Sequence, residues 1–125
     1  MNASATAIRG YGAHASSVQS DRQGEYETFA KVTKGLRDTA QNSGVNFPRF
    51  AEALYDNQRL WTALAVDVSD KENGLPDALR ARIIYLTEFT RVYTQKILTK
   101  RVTVVPLLEI NISIMRGLKG QGVTP

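Results

Sequence analysis

Pro48, Pro76 and Pro106 each stand at the head of a run in which apolar residues recur every three or four positions. Proline fits the first turn of an α-helix, where its missing N–H has no intrahelical partner, and breaks a helix further in. Three such starts divide most of the chain into helices. Phe47, Phe50, Ala51, Leu54, Leu60, Trp61, Leu64, Ala65 and Val68 predict one helix ending near residue 68, with Asn46 as its N-cap. Leu75-Pro76 opens the next, along which Leu79, Ile83, Leu86, Thr90, Tyr93 and Ile97 run at near-heptad steps. Leu107, Leu108, Ile110, Ile112, Ile114, Met115 and Leu118 make the last, and Gly117 is expected to terminate it. Ahead of these, Tyr26, Phe29, Thr33, Leu36 and Ala40 mark a first main helix. Ser20 and Gln23 fit a capping box at its start, and Gly44 is expected to take the left-handed cap at its end.

Between the runs the sequence is poor in structure-forming signals. Residues 1–19 are rich in Ala, Ser and Gly; Ile8, Tyr11, Ala15 and Val18 fall at helical spacing, but Gly10 and Gly12 weaken a helix there. This predicts a flexible or marginally helical arm. Val102, Thr103, Val104 and Val105 are β-branched, yet no second strand exists to pair with them, so they read as an extended connector. Residues 119–125 are expected to form a disordered tail. The expectation is an all-α protein: a small bundle of four main helices, one domain over 20–118, with a marginal N-terminal helical arm.

The residues restrict the chemistry. A chain of 125 residues buries one sizeable core. With no cysteine there is no disulfide, thiolate zinc site or cysteine nucleophile, and His14 is the sole histidine. Asp67, Asp70, Glu72 and Asp77 gather near one loop, but they lack the alternation of a calcium loop and Lys71 interrupts them; capping and solvated roles fit better. Gly-rich phosphate cradles are missing. No cofactor, metal or catalytic residue is expected, and the protein reads as a non-enzyme. No run of about 18 apolar residues spans a membrane, and no apolar leader follows Arg9, so a soluble, cytoplasmic protein is expected.

The net charge of +4 hides a local excess. Arg80, Arg82, Arg91, Lys96, Lys100 and Arg101 are opposed over residues 80–101 by Glu88 alone. At about 100° per residue, Arg82, Lys96 and Lys100 fall beside Phe89 on one flank, while Arg80 and Arg91 fall near Ile84 on the other. A nucleic-acid face would show one continuous stripe. Long cations snorkelling from both edges of an apolar helix face is the better reading.

Asn57-Gln58-Arg59-Leu60-Trp61-Thr62-Ala63-Leu64-Ala65-Val66-Asp67, then Asn73-Gly74-Leu75-Pro76, then Leu79-Arg80-Ala81 form one combination. Leu107-Leu108-Glu109-Ile110-Asn111 and Ile114-Met115-Arg116-Gly117-Leu118 complete it near the end of the chain. Together they resemble the flagellar biosynthesis regulator FlaF family over roughly residues 8–118, and Ile8-Arg9-Gly10-Tyr11 resembles that family's N-terminal segment. The resemblance implies a helical cytoplasmic protein needed to make and export flagellin. It further implies flagellin as partner, bound in the manner of a secretion chaperone, and the companion regulator FlbT as a second partner acting on flagellin translation.

The last helix is apolar over more than one face, which a helix shows when it is central or offered to a partner. Ile112, Met115 and Arg116 are therefore candidates for flagellin contact, followed by Trp61 and Leu75, for which a core role is at least as good. The alternative, an RNA-binding regulator of flagellin translation, would use Arg82, Lys96 and Lys100. Asn111, if buried, would fix the packing register.

Overall fold

Helix α1 spans Ala15–Gln41, α2 Phe47–Val68, α3 Asp77–Lys100 and α4 Val105–Val123. The computed structural model describes residues 15–123, with side-chain surroundings over 24–119. No strand occurs among the described residues. Short connections, 42–46, 69–76 and 101–104, turn each helix back along its predecessor. Helix α2 packs on α1 and α3, α1 also packs on α4, and α3 meets α4 along the sparsest of the four seams. The result is an antiparallel ring of four helices, an all-α bundle.

Local chemistry explains most of the ends. Asn46 caps α2, its side-chain oxygen accepting the Arg49 N–H at 3.3 Å, and Pro48 lies in the first turn. Gly44 does not take the expected left-handed cap, since no described glycine has positive φ. Helix α1 instead closes with tight turns, Asn42 N–H to the Thr39 carbonyl and Ser43 N–H to that of Ala40. Its start also lies elsewhere than the capping box suggested. No glycine or proline interrupts residues 15–23, so the helix already runs from Ala15 and Ser20 and Gln23 sit inside it.

Gly117 does not terminate α4, and the segment expected to be disordered from Lys119 is helical to Val123. A glycine inside a helix costs about 1 kcal/mol relative to alanine and does not by itself end it. Leu118, buried directly after it, holds the turn against the bundle. The left-handed residue is Arg101 at the end of α3, with φ of 56°. For a non-glycine this costs about 1–2 kcal/mol. Its guanidinium lies 4.8 Å from the Phe47 ring centre, a cation–π contact that offsets part of that cost.

The interior has two apolar compartments. Phe29, Trp61, Leu64, Val68, Leu75, Ile83, Leu86, Ile114 and Leu118 form one; Leu36, Phe50, Leu54, Ile97 and Leu107 form the other. Each helix also contributes buried polar residues: Thr33 from α1, Asn57 from α2, Thr90 and Thr94 from α3, and Asn111 from α4.

Candidate functional site

The buried polar layer centres on Asn111. Its side-chain oxygen accepts the Trp61 indole N–H at 2.8 Å, and its amide nitrogen donates to Asn57 Oδ1 at 2.8 Å and to Thr33 Oγ1 at 3.0 Å. One side chain of α4 thereby ties itself to α1 and twice to α2. Trp61 is also gripped from α1, where Phe29 meets it edge to face with ring centres 5.4 Å apart. On α3 the Thr87 hydroxyl donates to the Trp61 carbonyl at 3.3 Å. Buried hydrogen bonds in a low-dielectric interior are strong when satisfied and costly when broken, so this layer sets the axial register of the bundle. The expectation that Asn111 does so from a buried position agrees with its full burial and its three bonds.

Trp61 and Leu75 are buried in the compartment formed around Phe29 and Ile114 and are not available as a surface in this fold. The other three candidates lie on α4. Ile112 is 41% exposed, Arg116 is exposed, and Met115 is half-buried, packed against the core with its sulfur near the Thr33 hydroxyl. Residues 112, 115 and 116 are three and four apart, so the structure brings them to one face. Leu108 continues that face one turn back, half-buried against the compartment formed by Leu36, Phe50, Leu54, Ile97 and Leu107.

Sequence reasoning missed exposed apolar residues on two further helices. Tyr55 and Val66 on α2, and Ile84, Tyr85 and Val92 on α3, are all exposed, Val66 and Tyr85 each at 69%. The spacing of Tyr55, Arg59, Thr62 and Val66 is that of one helix stripe, and Arg59 stacks on Tyr55. Tyr85 and Val92 are seven residues apart on the outer stripe of α3. The helical spacing of these residues is present in the sequence, but spacing alone does not say which of two apolar stripes on a helix faces the core.

The basic residues of α3 separate by what they touch. Arg80 donates from Nε to the Val68 carbonyl and from a guanidinium nitrogen to the Asp70 carbonyl, each at 3.0 Å, closing the C-terminal end of α2. It also pairs with Asp77. Arg91 pairs with Glu88 through both carboxylate oxygens, which holds the Glu88 carboxyl below its ordinary range. Arg80 thus ties α3 to α2, while Arg91 is engaged by a carboxylate of its own helix on the surface. Arg80→Ala is expected to lower the unfolding free energy by about 1–3 kcal/mol, since charge-assisted bonds to helix-end carbonyls are lost. Urea denaturation measures it. Arg82 reaches α4, its guanidinium 3.4 Å from the Ser113 hydroxyl, while Lys96 and Lys100 are exposed.

The acidic cluster is absorbed by its own loop. Asp70 Oδ1 accepts the Glu72 N–H at 2.9 Å, Asp67 accepts from the Asn73 amide, and Asp77 lies in the first turn of α3. Among the described residues no three His, Cys, Asp or Glu side chains are placed to hold a metal ion. His14 lies outside the described residues. No helix among them is long and apolar enough to cross a membrane.

Compared with known protein families, residues 7–118 match the family described as Flagellar protein FlaF. Neither the curated proteins nor the solved structures include a match.

Proposed function

Because the chain belongs to the FlaF family of flagellar proteins, we propose that it is a binding protein for flagellin. In this role it holds the newly made subunit in the cytoplasm and couples its synthesis to export and filament assembly. The observation that carries this reading is the α4 face on which exposed Ile112 adjoins half-buried Met115 and Leu108, with Arg116 at its edge. An amphipathic helix laid along such a face buries its apolar stripe, and flexible Met115 adapts to it. Stable capture needs burial of about 1,200–2,000 Å² in total, so contact must extend beyond these residues onto neighbouring helix surface. FlbT is the second partner in this reading, through which flagellin supply acts on translation. Direct RNA binding is the weaker alternative: Arg82, Lys96 and Lys100 are exposed, but Arg80 and Arg91 are engaged within the protein, so the cations of α3 do not form one continuous stripe.

Ile112→Asp is the test. The side chain is solvent-facing, so the helical circular dichroism spectrum should stay unchanged while affinity for purified flagellin falls about tenfold or more, the equivalent of one well-buried apolar contact. Wild-type affinity in this variant would remove α4 as the flagellin face. Met115→Asp is less informative, since Met115 also packs against the core.

A further inference from the structure

The flank of α3 that faces α4 carries a pattern separate from the Ile112 face. Arg82, Phe89 and Lys96 stand at successive seven-residue steps, and Tyr93 and Lys100 repeat the step on the adjoining stripe. Two contacts fix the direction of this flank: Arg82 to Ser113 on α4, and the Tyr93 hydroxyl donating to the Thr103 carbonyl at 2.6 Å in the α3–α4 loop. It therefore lines the sparsest seam of the bundle.

Arg82, Lys96 and Lys100 are exposed, and none forms an ion pair among the described residues. The surrounding field is positive as well. Residues 77–119 hold eight Lys and Arg against three Asp and Glu, a local +5, whereas the whole chain is +4. The only carboxylate of α4 is Glu109. Phe89 and Tyr93 are half-buried and stacked, with ring centres 5.6 Å apart and planes 13° apart. The edge thus presents cations at its two ends and aromatic carbon between them, over about 21 Å of helix from Arg82 to Lys96.

We propose that the α3/α4 seam is a docking site for an acidic amphipathic helix of a partner protein, with carboxylates set against Arg82, Lys96 and Lys100 and an apolar stripe between them against Phe89 and Tyr93. The heptad spacing is that of a helix lying nearly parallel to α3, where positions seven apart meet the same seam. Opposite charge supplies orientation and association rate, while the buried aromatic edges supply affinity. A nucleic acid fits less well. Each ring already covers one face of the other, and both are half-buried, whereas base stacking needs an open ring face.

The probe is a fluorescently labelled helical peptide of three heptads, with leucines along one stripe and glutamates flanking it, titrated against the full chain by fluorescence anisotropy. Lys96→Glu should weaken binding about tenfold or more, as reversal of a contacting charge does. Arg91→Glu makes the same charge change on the opposite flank and should alter it less than about threefold. A control peptide with serines in place of the leucines should not bind. Ile112→Asp should leave peptide affinity unchanged, so loss of the flagellin face and loss of this seam are read separately. Circular dichroism confirms that each variant is folded. Equal weakening by Lys96→Glu and Arg91→Glu, or equal binding of the serine peptide, would mean diffuse attraction and overturn the proposal. Tighter binding of an oligouridylate that displaces the peptide would overturn it in favour of RNA.

Discussion

Asn111→Leu should destabilise the bundle by about 3–5 kcal/mol, although leucine nearly conserves the volume, because it strands several buried polar groups at once. The Trp61 indole N–H loses its acceptor, Asn57 Oδ1 loses its donor, and the Thr33 hydroxyl loses a further bond. All four residues are buried, so water cannot replace what is removed. Equilibrium urea unfolding followed at 222 nm gives the value. The double variant Asn57→Leu/Asn111→Leu sharpens the test. It removes donor and acceptor together, and should recover part of the loss, because replacing both members of a buried polar pair leaves fewer orphans than replacing one. A single-variant cost below about 1 kcal/mol would show that the layer does not set the packing.

Trp61→Ala is the second large effect, with an expected loss of about 4–5 kcal/mol. Trp61 is fully buried and the largest such side chain, so its removal leaves a void beside Phe29, Leu64 and Ile114 that rigid helices collapse into only partly. Trp61→Phe separates the contributions. It keeps an aromatic ring beside Phe29 but deletes the N–H and part of the ring volume, so it should lose the hydrogen bond and leave a smaller void, about 2–4 kcal/mol in all. Total stability for a domain of this size is about 5–15 kcal/mol, so Trp61→Ala brings the protein close to unfolding. Thermal melting with the same pair of variants provides an independent check, and equal Tm values for Trp61→Ala and wild type would contradict the core role.

The elements legible in the sequence were those with local causes. Asn46 and Pro48 announced the start of α2 because a cap acts within one turn, and the apolar spacing of α3 named Ile83, Leu86, Thr90 and Ile97, all of which are buried. The ends that were misplaced, Gly44 and Gly117, were positions where glycine permits a stop without requiring one. Neighbouring turns decided instead: Asn42 and Ser43 closed α1 without a left-handed residue, and packing of Leu118 carried α4 onward. Among the candidate contacts, Ile112 and Arg116 proved exposed, whereas Trp61 and Leu75 did not. Periodicity gives a helix an apolar face, but does not say whether another helix already covers it.

By itself, then, the sequence determined an all-helical chain, the identity of most helix faces, and the absence of cysteine chemistry, since these depend on residue type and on spacings of three, four and seven. The tertiary structure alone decided which faces meet. Asn111 finds its partners 50, 54 and 78 positions away, in helices whose order around the ring no local pattern encodes. It also divided the basic residues of α3, drawing Arg80 into the end of α2 and leaving Lys96 and Lys100 without a partner charge among the described residues. The physical reason is common to both outcomes. A helical period fixes the angle at which a side chain leaves its own axis, while the group it meets depends on the position and register of a second axis.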